Sequence, residues 1–213
     1  MMKRPSAQLV LSAYTQGAFP MAHPEEDDQI YWYAPDPRAI LPIEQFHCPS
    51  RLRQTVRQRP FDIWINRDFD AVIEGCAAPR KTQQQTWISS GLADTYAELH
   101  RLGFVHTVEA WDGDELVGGL YGVSIGGFFA GESMFYRKTD ASKICLAQLV
   151  QRLDQRDFGL LDIQFVTEHL KQFGACEISR DEYERRLAEA IERPTSFVDD
   201  ESPIQIVAAA DRD

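Results

Sequence analysis

Two polar side chains interrupt an apolar run, Leu160-Leu161-Asp162-Ile163-Gln164-Phe165. A short run of this kind, bounded by Gly159, reads as a buried strand. Residues two apart in a strand point to the same face. The Asp162 carboxylate can therefore accept a hydrogen bond from the Gln164 amide group. That contact would fix the orientation of Gln164 and leave its carbonyl oxygen as an acceptor of enhanced negative character. The alternative is structural: a buried Asp–Gln pair that ties a strand end to a neighbouring loop. A third polar group, Glu132, stands between Gly131 and Ser133 in apolar surroundings. An acid there is costly to bury unless it is paired or hydrogen-bonded.

The usual catalytic signatures are missing. There is no G-x-S-x-G, no Walker-type loop, no H-E-x-x-H and no G-x-G-x-x-G. The histidines His23, His47, His100, His106 and His169 are dispersed and read as structural. Cys48, Cys76, Cys145 and Cys176 form no C-x-x-C pair and have no zinc-ligand spacing with a histidine. They read as buried, reduced thiols of a cytoplasmic protein. An enzyme made of these parts works without a metal and without a covalent nucleophile, which suits a substrate that arrives already activated.

The element that holds Glu132 runs over residues 116–135. It reads as two strands joined at Gly126-Gly127, a dipeptide suited to a tight hairpin. Its glycines are too dense for ordinary strands and mark bulges or close approaches of other backbone. Before it, helices are expected over residues 6–16, with Leu9, Val10, Ala13 and Tyr14 on one face, and over the basic stretch 49–58. The acidic run 25–28 is expected to be a solvated loop. Residues 30–42 read as a proline-restricted loop carrying Tyr31, Trp32 and Tyr33. A strand over 61–65, a helix capped by Asn66 and running to residue 77, a polar loop over 79–85, and a helix bearing Leu92, Tyr96 and Leu99 lead to a strand over 105–111. After the hairpin, Asp140 is placed to cap a helix bearing Leu146, Leu149 and Leu153. Thr167 caps a short helix, and Ser179 with Glu182 forms a capping box that opens a helix to about residue 192. The acidic segment 194–213 has no periodic pattern and is expected to be mobile. The fold class is α/β or α+β with a mixed sheet.

With 213 residues, 44% of them hydrophobic, the chain can bury one sizeable core. No apolar run approaches a membrane span, and the basic start has no long apolar stretch behind it, so no signal peptide is expected. The net charge of −11 opposes non-specific nucleic-acid binding. The charge is uneven, however. Ten acids and four bases fall between Asp181 and Asp213, whereas residues 47–60 carry Arg51, Arg53, Arg57 and Arg59 and no acid. That basic stretch is either a solvated helix face or a patch for a specific anionic partner.

Beyond single residues, a series of motifs resembles the leucyl/phenylalanyl-tRNA–protein transferase family. It begins with Ala18-Phe19-Pro20-Met21 and Trp32-Tyr33-Ala34-Pro35-Asp36-Pro37-Arg38. It continues with Val72-Ile73-Glu74-Gly75-Cys76-Ala77, Thr86-Trp87-Ile88 and Val117-Gly118-Gly119-Leu120-Tyr121-Gly122-Val123. Gly131-Glu132-Ser133-Met134-Phe135, Ala141-Ser142-Lys143, Asp162-Ile163-Gln164, His169-Leu170 and Gly174-Ala175-Cys176-Glu177-Ile178 complete it. The resemblance implies a domain like the GCN5-related acetyltransferases, a mixed sheet flanked by helices, over residues 47–193. A small N-terminal lobe over 1–46 precedes it and the acidic tail over 194–213 follows. It implies no cofactor and no metal.

The family moves Leu, Phe or, less well, Met from aminoacyl-tRNA to an N-terminal Arg or Lys of a protein in the N-degron pathway. The partners implied are thus charged tRNA and acceptor proteins or peptides, met by a cytoplasmic monomer away from any membrane. By resemblance Gln164 accepts from the attacking amine, Asp162 orients it, and Glu132 binds an ammonium or a ribose hydroxyl. The apolar slot for the donor side chain falls, by motif position, to Leu120, Phe129, Met134, Leu146, Leu149 and Leu153, each of which also fits a plain core. Trp32, Tyr33 and Trp87 match places that pack the terminal adenosine. Arg51, Arg53, Arg57 and Arg59 match the patch for the acceptor stem.

This chain departs from the familiar pattern at several points. It lacks a glycine-rich lead-in before the first helix, has Tyr at 33 for Trp, and Asp-Ile-Gln for Asp-Cys-Gln. It also has Leu at 120 for Met, and Leu at 149 and 153 for Phe. The pocket changes bear on the order of preference among donors; Phe is expected to be tolerated at least as well as Leu. Two other readings stand beside this one. An acyl-CoA-dependent N-acetyltransferase would want a glycine-rich pyrophosphate loop near Asp140, where residues 136–143 have no glycine. A non-catalytic tRNA- or peptide-binding module would bind without turnover.

Overall fold

The computed structural model describes residues 2–79, 86–200 and 203–206. Most of the polar loop expected over 79–85 lies outside the described residues. The first helix, α1 (Ala7–Tyr14), is capped by Ser6, whose hydroxyl accepts from the Leu9 amide. Its inward residues are Ala7, Val10 and Tyr14; Leu9 lies on the exposed side, one position off the expected stripe. Next, β1 (Phe19–His23) and β2 (Gln29–Tyr33) pair antiparallel as a separate two-stranded sheet. The aromatic stretch expected as a loop is therefore half strand. Prolines flank β2 rather than interrupt it, so its amides remain free to pair.

The main sheet contains β3 (Arg38–Ile40), β4 (Asp62–Ile65), β5 (Val105–Asp112), β6 (Glu115–Ile125), β7 (Phe128–Tyr136), β8 (Leu160–Gln164), β9 (Cys176–Ile178) and β10 (Ile204–Ile206). Their order is β10-β4-β5-β6-β7-β8-β3-β9. Every pairing is antiparallel except β7 with β8. The architecture is α+β, with a mixed eight-stranded sheet flanked by helices and a small N-terminal sheet.

One face of the sheet is covered by α1, α3 (Phe69–Ala77), α4 (Ser90–Arg101) and α7 (Arg180–Ile191). The other carries α2 (Ser50–Gln58) and α5 (Ala141–Gln155). A short α6 (Glu168–Lys171) follows β8. Strand alternation sorts the side chains: Leu160 faces the α1/α4/α7 layer, while Leu161 and Ile163 face α5. Asn66 is not the cap of α3. It takes a left-handed φ of 56°, and Asp68 caps instead, accepting from the Ala71 amide. Asp140 is also left-handed, at φ 63°, and makes no cap hydrogen bond; its carboxylate pairs with Lys143 at 2.7 Å.

The segment after α7 is held where described. Phe197 is 1% exposed in the α5-side core, and Ile204–Ile206 pairs with β4 as an edge strand. A single buried aromatic and a three-residue strand are too short to show a period. No helix among the described residues is long and apolar enough to cross a membrane.

The glycine-rich hairpin is present, turning at Gly126, whose φ is +54°. Its register shifts between Tyr121 and Gly122: Tyr121 faces Ser133 and Gly122 faces Gly131. Glu132 is left over as the extra residue of a β-bulge, which re-aims its side chain. A Cβ on Gly122 would come within 2.3 Å of the Ala130 carbonyl oxygen, a backbone atom that cannot swing aside. Gly122→Ala is therefore expected to destabilise the fold by about 1–3 kcal/mol. The check is a urea-unfolding midpoint; an unchanged midpoint would mean that the bulge tolerates a side chain.

Candidate active site

β7 and β8 pair only as far as Ala130 with Asp162. Beyond that point the bulge turns β7 away and β8 ends at Gln164, so the two parallel strands splay apart. The crevice beyond the carboxyl ends of parallel strands is a common place for ligands. Glu132 and Gln164 meet across it: the Gln164 Nε2 donates to Glu132 Oε1 at 3.2 Å.

Asp162 is fully buried and satisfied. Arg38 Nε and Nη2 donate to its two oxygens at 2.9 and 2.7 Å, a bidentate fork. The Tyr183 hydroxyl donates at 2.9 Å, and the Gln164 main-chain N–H donates at 2.9 Å. Asp162 therefore holds the backbone of Gln164, not its side-chain amide as the strand spacing suggested. The cause lies in Gln164 itself, which has a left-handed φ of 59°. The Phe165 amide closes on the Ile163 carbonyl at 2.6 Å, making a three-residue γ-turn around it. The turn sends the side chain to Glu132, and the Gln164 N–H is the group that reaches Asp162. Left-handed backbone costs a non-glycine residue about 1–3 kcal/mol and persists only where its surroundings impose it.

Glu132 keeps some opening to solvent, yet its carboxyl sits deep among apolar groups. Burial pushes its pKa up to about 8; the Tyr14 and Tyr96 hydroxyls and the Arg38 charge pull against this, and the Asp162 charge adds to it. The Tyr96 hydroxyl donates to Glu132 Oε2 at 3.3 Å and lies 3.1 Å from that of Tyr14. Both tyrosines, like Tyr183, have pKa values raised first by burial, so they stay protonated and act as donors.

Arg38, Tyr183, Tyr14 and Tyr96 did not stand out in the sequence as site residues. Arg38 had a readable signal, since a charge enters the apolar run Ala39-Ile40-Leu41 just as Asp162 enters its own. The tyrosines fall on helical apolar stripes and look like core, which by burial they also are.

The Arg38 guanidinium lies 4.8 Å from the Phe19 ring and 4.6 Å from that of Tyr183. Phe19 stacks on Tyr33 at 5.9 Å and meets the exposed Phe165 edge-on at 5.9 Å. Tyr33 is thus joined to the cluster through Phe19. Trp32 points to the other side of β2 and is exposed, and half-buried Trp87 packs on the core while its carbonyl accepts from the Ala22 amide. Leu120, Phe129, Leu146, Leu149 and Leu153 gather in one cluster on the α5 side, each no more than 3% exposed, with half-buried Met134 against it. They lie on the face of the sheet opposite Asp162. Arg51, Arg53, Arg57 and Arg59 are all exposed on or just after α2, which packs on α5. Among the described residues, no three His, Cys, Asp or Glu side chains are grouped to hold a metal.

The profile of the leucyl/phenylalanyl-tRNA protein transferase family matches residues 40–188, and the profile of that family's N-terminal domain matches residues 4–36. The chain belongs to this family. A leucyl/phenylalanyl-tRNA–protein transferase of Maricaulis maris (strain MCS10) is 49% identical over 185 residues, 87% of this chain and 86% of that one. The protein is accordingly an enzyme of the aminoacyltransferase class. Among solved structures, L-PGS from Bacillus licheniformis matches 77% of this chain and 55% of its own, at a TM-score of 0.38 and 12% identity.

Within this family member, the Arg38–Asp162 pair is expected to behave as a unit. Asp162→Asn leaves a buried guanidinium uncompensated and should cost about 3–5 kcal/mol. The double change Arg38→Met with Asp162→Asn should cost less than the sum of the single changes. Denaturant unfolding of the three variants checks this, and strict additivity would show that the two charges do not depend on each other.

Proposed function

We propose that this enzyme, as a cytoplasmic monomer, transfers Leu or Phe, and Met less well, from aminoacyl-tRNA to the N-terminal Arg or Lys of proteins. The product is then open to N-degron proteolysis. The observation that carries the reading is the Glu132–Gln164 contact at 3.2 Å, held in the splay by the buried Arg38–Asp162–Tyr183 cluster.

The donor ester is already activated, so the enzyme has to position an amine and manage protons. An α-ammonium has an ordinary pKa of about 7.7–8.0. Glu132, at about 8, matches it, so passing a proton from the ammonium to the Glu132 carboxylate costs almost nothing. The neutral amine attacks the ester carbonyl carbon, the N–C bond forms, and the bond from that carbon to the ribose oxygen breaks. The amine gives up a second proton and the ribose oxygen takes it. Gln164 donates to Glu132 through its amide nitrogen, which leaves its amide oxygen to accept from the attacking amine. Asp162 acts through the Gln164 backbone and is a positioning residue. The donor side chain enters the apolar cluster of Leu120, Phe129, Met134, Leu146, Leu149 and Leu153, where charged side chains are refused. Trp32, Tyr33 and Trp87 serve the terminal adenosine, and Arg51, Arg53, Arg57 and Arg59 the acceptor stem.

The direct test is transfer of labelled Leu or Phe from charged tRNA to a peptide beginning with Arg. Gln164→Ala should lose most transfer, by about 100-fold or more, with tRNA affinity kept. The wild-type rate should rise with pH up to about 8 as Glu132 deprotonates. Glu132→Gln should be slow at every pH, and the rise it keeps should follow only the acceptor amine, at about 7.7–8.0. The same change should affect stability in the opposite direction. The Glu132 pKa is raised in the fold, so its contribution is complete below the unfolded value near 4.5 and is lost as pH rises through about 8. At pH 9, Glu132→Gln should be more stable than wild type by at least about 1 kcal/mol. A fast Glu132→Gln enzyme with an unaltered pH profile would remove Glu132 from the proton step.

Arg51, Arg53 and Arg57 make no ion pair with a described residue. Reversing Arg53 and Arg57 to Glu should weaken charged-tRNA binding and flatten its salt dependence, because fewer phosphates are neutralised. A minimal aminoacyl-adenosine donor should be used as well by this variant as by wild type. Equal losses with both donors would move the tRNA site elsewhere.

A further inference from the structure

Phe165 follows Gln164 directly and is 48% exposed, a large apolar ring left open to water beside the site. It is not on a free loop. Its amide closes the γ-turn on the Ile163 carbonyl at 2.6 Å. Val166 then packs against the α5-side core, and the Thr167 hydroxyl accepts from the Leu170 amide at 3.2 Å to cap α6. The backbone is thus held on both sides of the ring. The ring itself stands nearly perpendicular to that of Phe19, at 81° and 5.9 Å between centroids. Phe19 belongs to the core under α1, α4 and α7, the same core from which Tyr96 reaches Glu132. The Phe165 ring and the Gln164 amide therefore lie on one side of the sheet.

The charges of the site leave one task undone. An acceptor beginning with Arg or Lys brings two cations, its α-ammonium and its side chain. Asp162 is already paired with Arg38 at 2.7 Å, both side chains being at most 2% exposed. Glu132 meets Gln164 and serves the α-amine. The second cation needs another partner. An aromatic face attracts a cation through its quadrupole, the more so where water is partly excluded. The same contact already occurs nearby, with the Arg38 guanidinium against the rings of Phe19 and Tyr183. Among the described residues no cation of the chain lies over Phe165. A perpendicular neighbour covers at most one face of a ring, so the other face is open.

We infer that the open face of Phe165 receives the cationic side chain of the acceptor's first residue and favours Arg and Lys there. The inference rests on the reading that Gln164 accepts from the acceptor's α-amine. The acceptor side chain leaves the carbon that bears this amine, and Phe165 is bonded to the residue that receives it. The two are neighbours whenever the amine is in place. A ring face attracts charge without a fixed hydrogen-bond geometry, which suits two cations as different in shape as a guanidinium and an ammonium.

The test measures kcat and KM for peptides beginning with Arg, Lys or citrulline, the neutral analogue of Arg, at saturating donor. The KM of a minimal aminoacyl-adenosine donor is measured beside them. Phe165→Leu keeps an apolar side chain and removes the quadrupole. It should raise the acceptor KM of the Arg and Lys peptides by roughly 3- to 30-fold, the range of such contacts, with kcat and the donor KM nearly unchanged. Phe165→Trp should keep the wild-type acceptor KM or lower it. The citrulline peptide should lose nothing further in Phe165→Leu, because ring and charge act as one contact. An equal loss for citrulline would make the ring packing only. A rise in the donor KM alone would give Phe165 to the adenosine, and no change in either KM would leave it a solvated ring. Each of these three results overturns the inference. Gln164→Ala separates it from the reading beneath. If Gln164→Ala is slow and Phe165→Leu leaves the acceptor KM alone, the amine site stands and only the role of the ring falls. If Gln164→Ala transfers at the wild-type rate, the amine lies elsewhere and both readings fall.

Discussion

The ion pair between Arg38 and Asp162 is the constraint on which the site depends. Both side chains are almost wholly removed from water, at 2% and 0% exposure. Neither charge is tolerable alone at such a depth, so each requires the other in a fixed geometry. The further hydrogen bonds of the pair tie other elements to it. Arg38 spends its third hydrogen bond on the Gly17 carbonyl at 2.8 Å, joining the end of α1 to the sheet. Asp162 accepts from Tyr183 on α7 and from the Gln164 backbone. One buried carboxylate thus sets the positions of a strand, two helices and the turn that carries Gln164.

Around that anchor, two local irregularities do the aiming. The bulge frees Glu132 from the ladder, and the left-handed turn frees Gln164 from the strand. Each is unfavourable on its own terms, and each turns a side chain into the space between β7 and β8. A regular parallel pair would keep its side chains above and below the sheet and leave the gap between strands closed. Here the ladder between them stops at Ala130 and Asp162, and the two polar groups meet beyond its end.

Much of this was legible in the residues and some was not. Polar residues inside apolar strands marked Asp162, Gln164 and Glu132, and glycine density marked the hairpin. The spacing rule brought Asp162 and Gln164 into contact but chose the wrong donor, because it assumes extended backbone and Gln164 is left-handed. The strand Arg38–Ile40 passed unnoticed because three residues beside Asp36-Pro37 have no room for a period. Phe197 passed unnoticed for a related reason: an isolated apolar residue in an acidic segment has no local pattern, and its burial depends on α5, β5 and β7. Tyr14, Tyr96 and Tyr183 present the opposite difficulty. Their rings satisfy the core pattern so well that nothing in it announces the hydroxyl.

The place of β3 in the sheet has a consequence for how the enzyme comes into being. Its neighbours are β8 and β9, and the Arg38–Asp162 contact spans 124 residues of chain. Closing so long a loop brings a large entropic cost before any contact rewards it, and such pairings form slowly. During synthesis Arg38 leaves the ribosome long before Asp162, and Tyr183 follows later still. The hairpin bearing Glu132 can form meanwhile, but without the pair nothing holds Gln164 in its turn. Competence therefore arrives with the last third of the chain, and an unfinished polypeptide has no assembled centre with which to engage the charged tRNAs that surround its own synthesis.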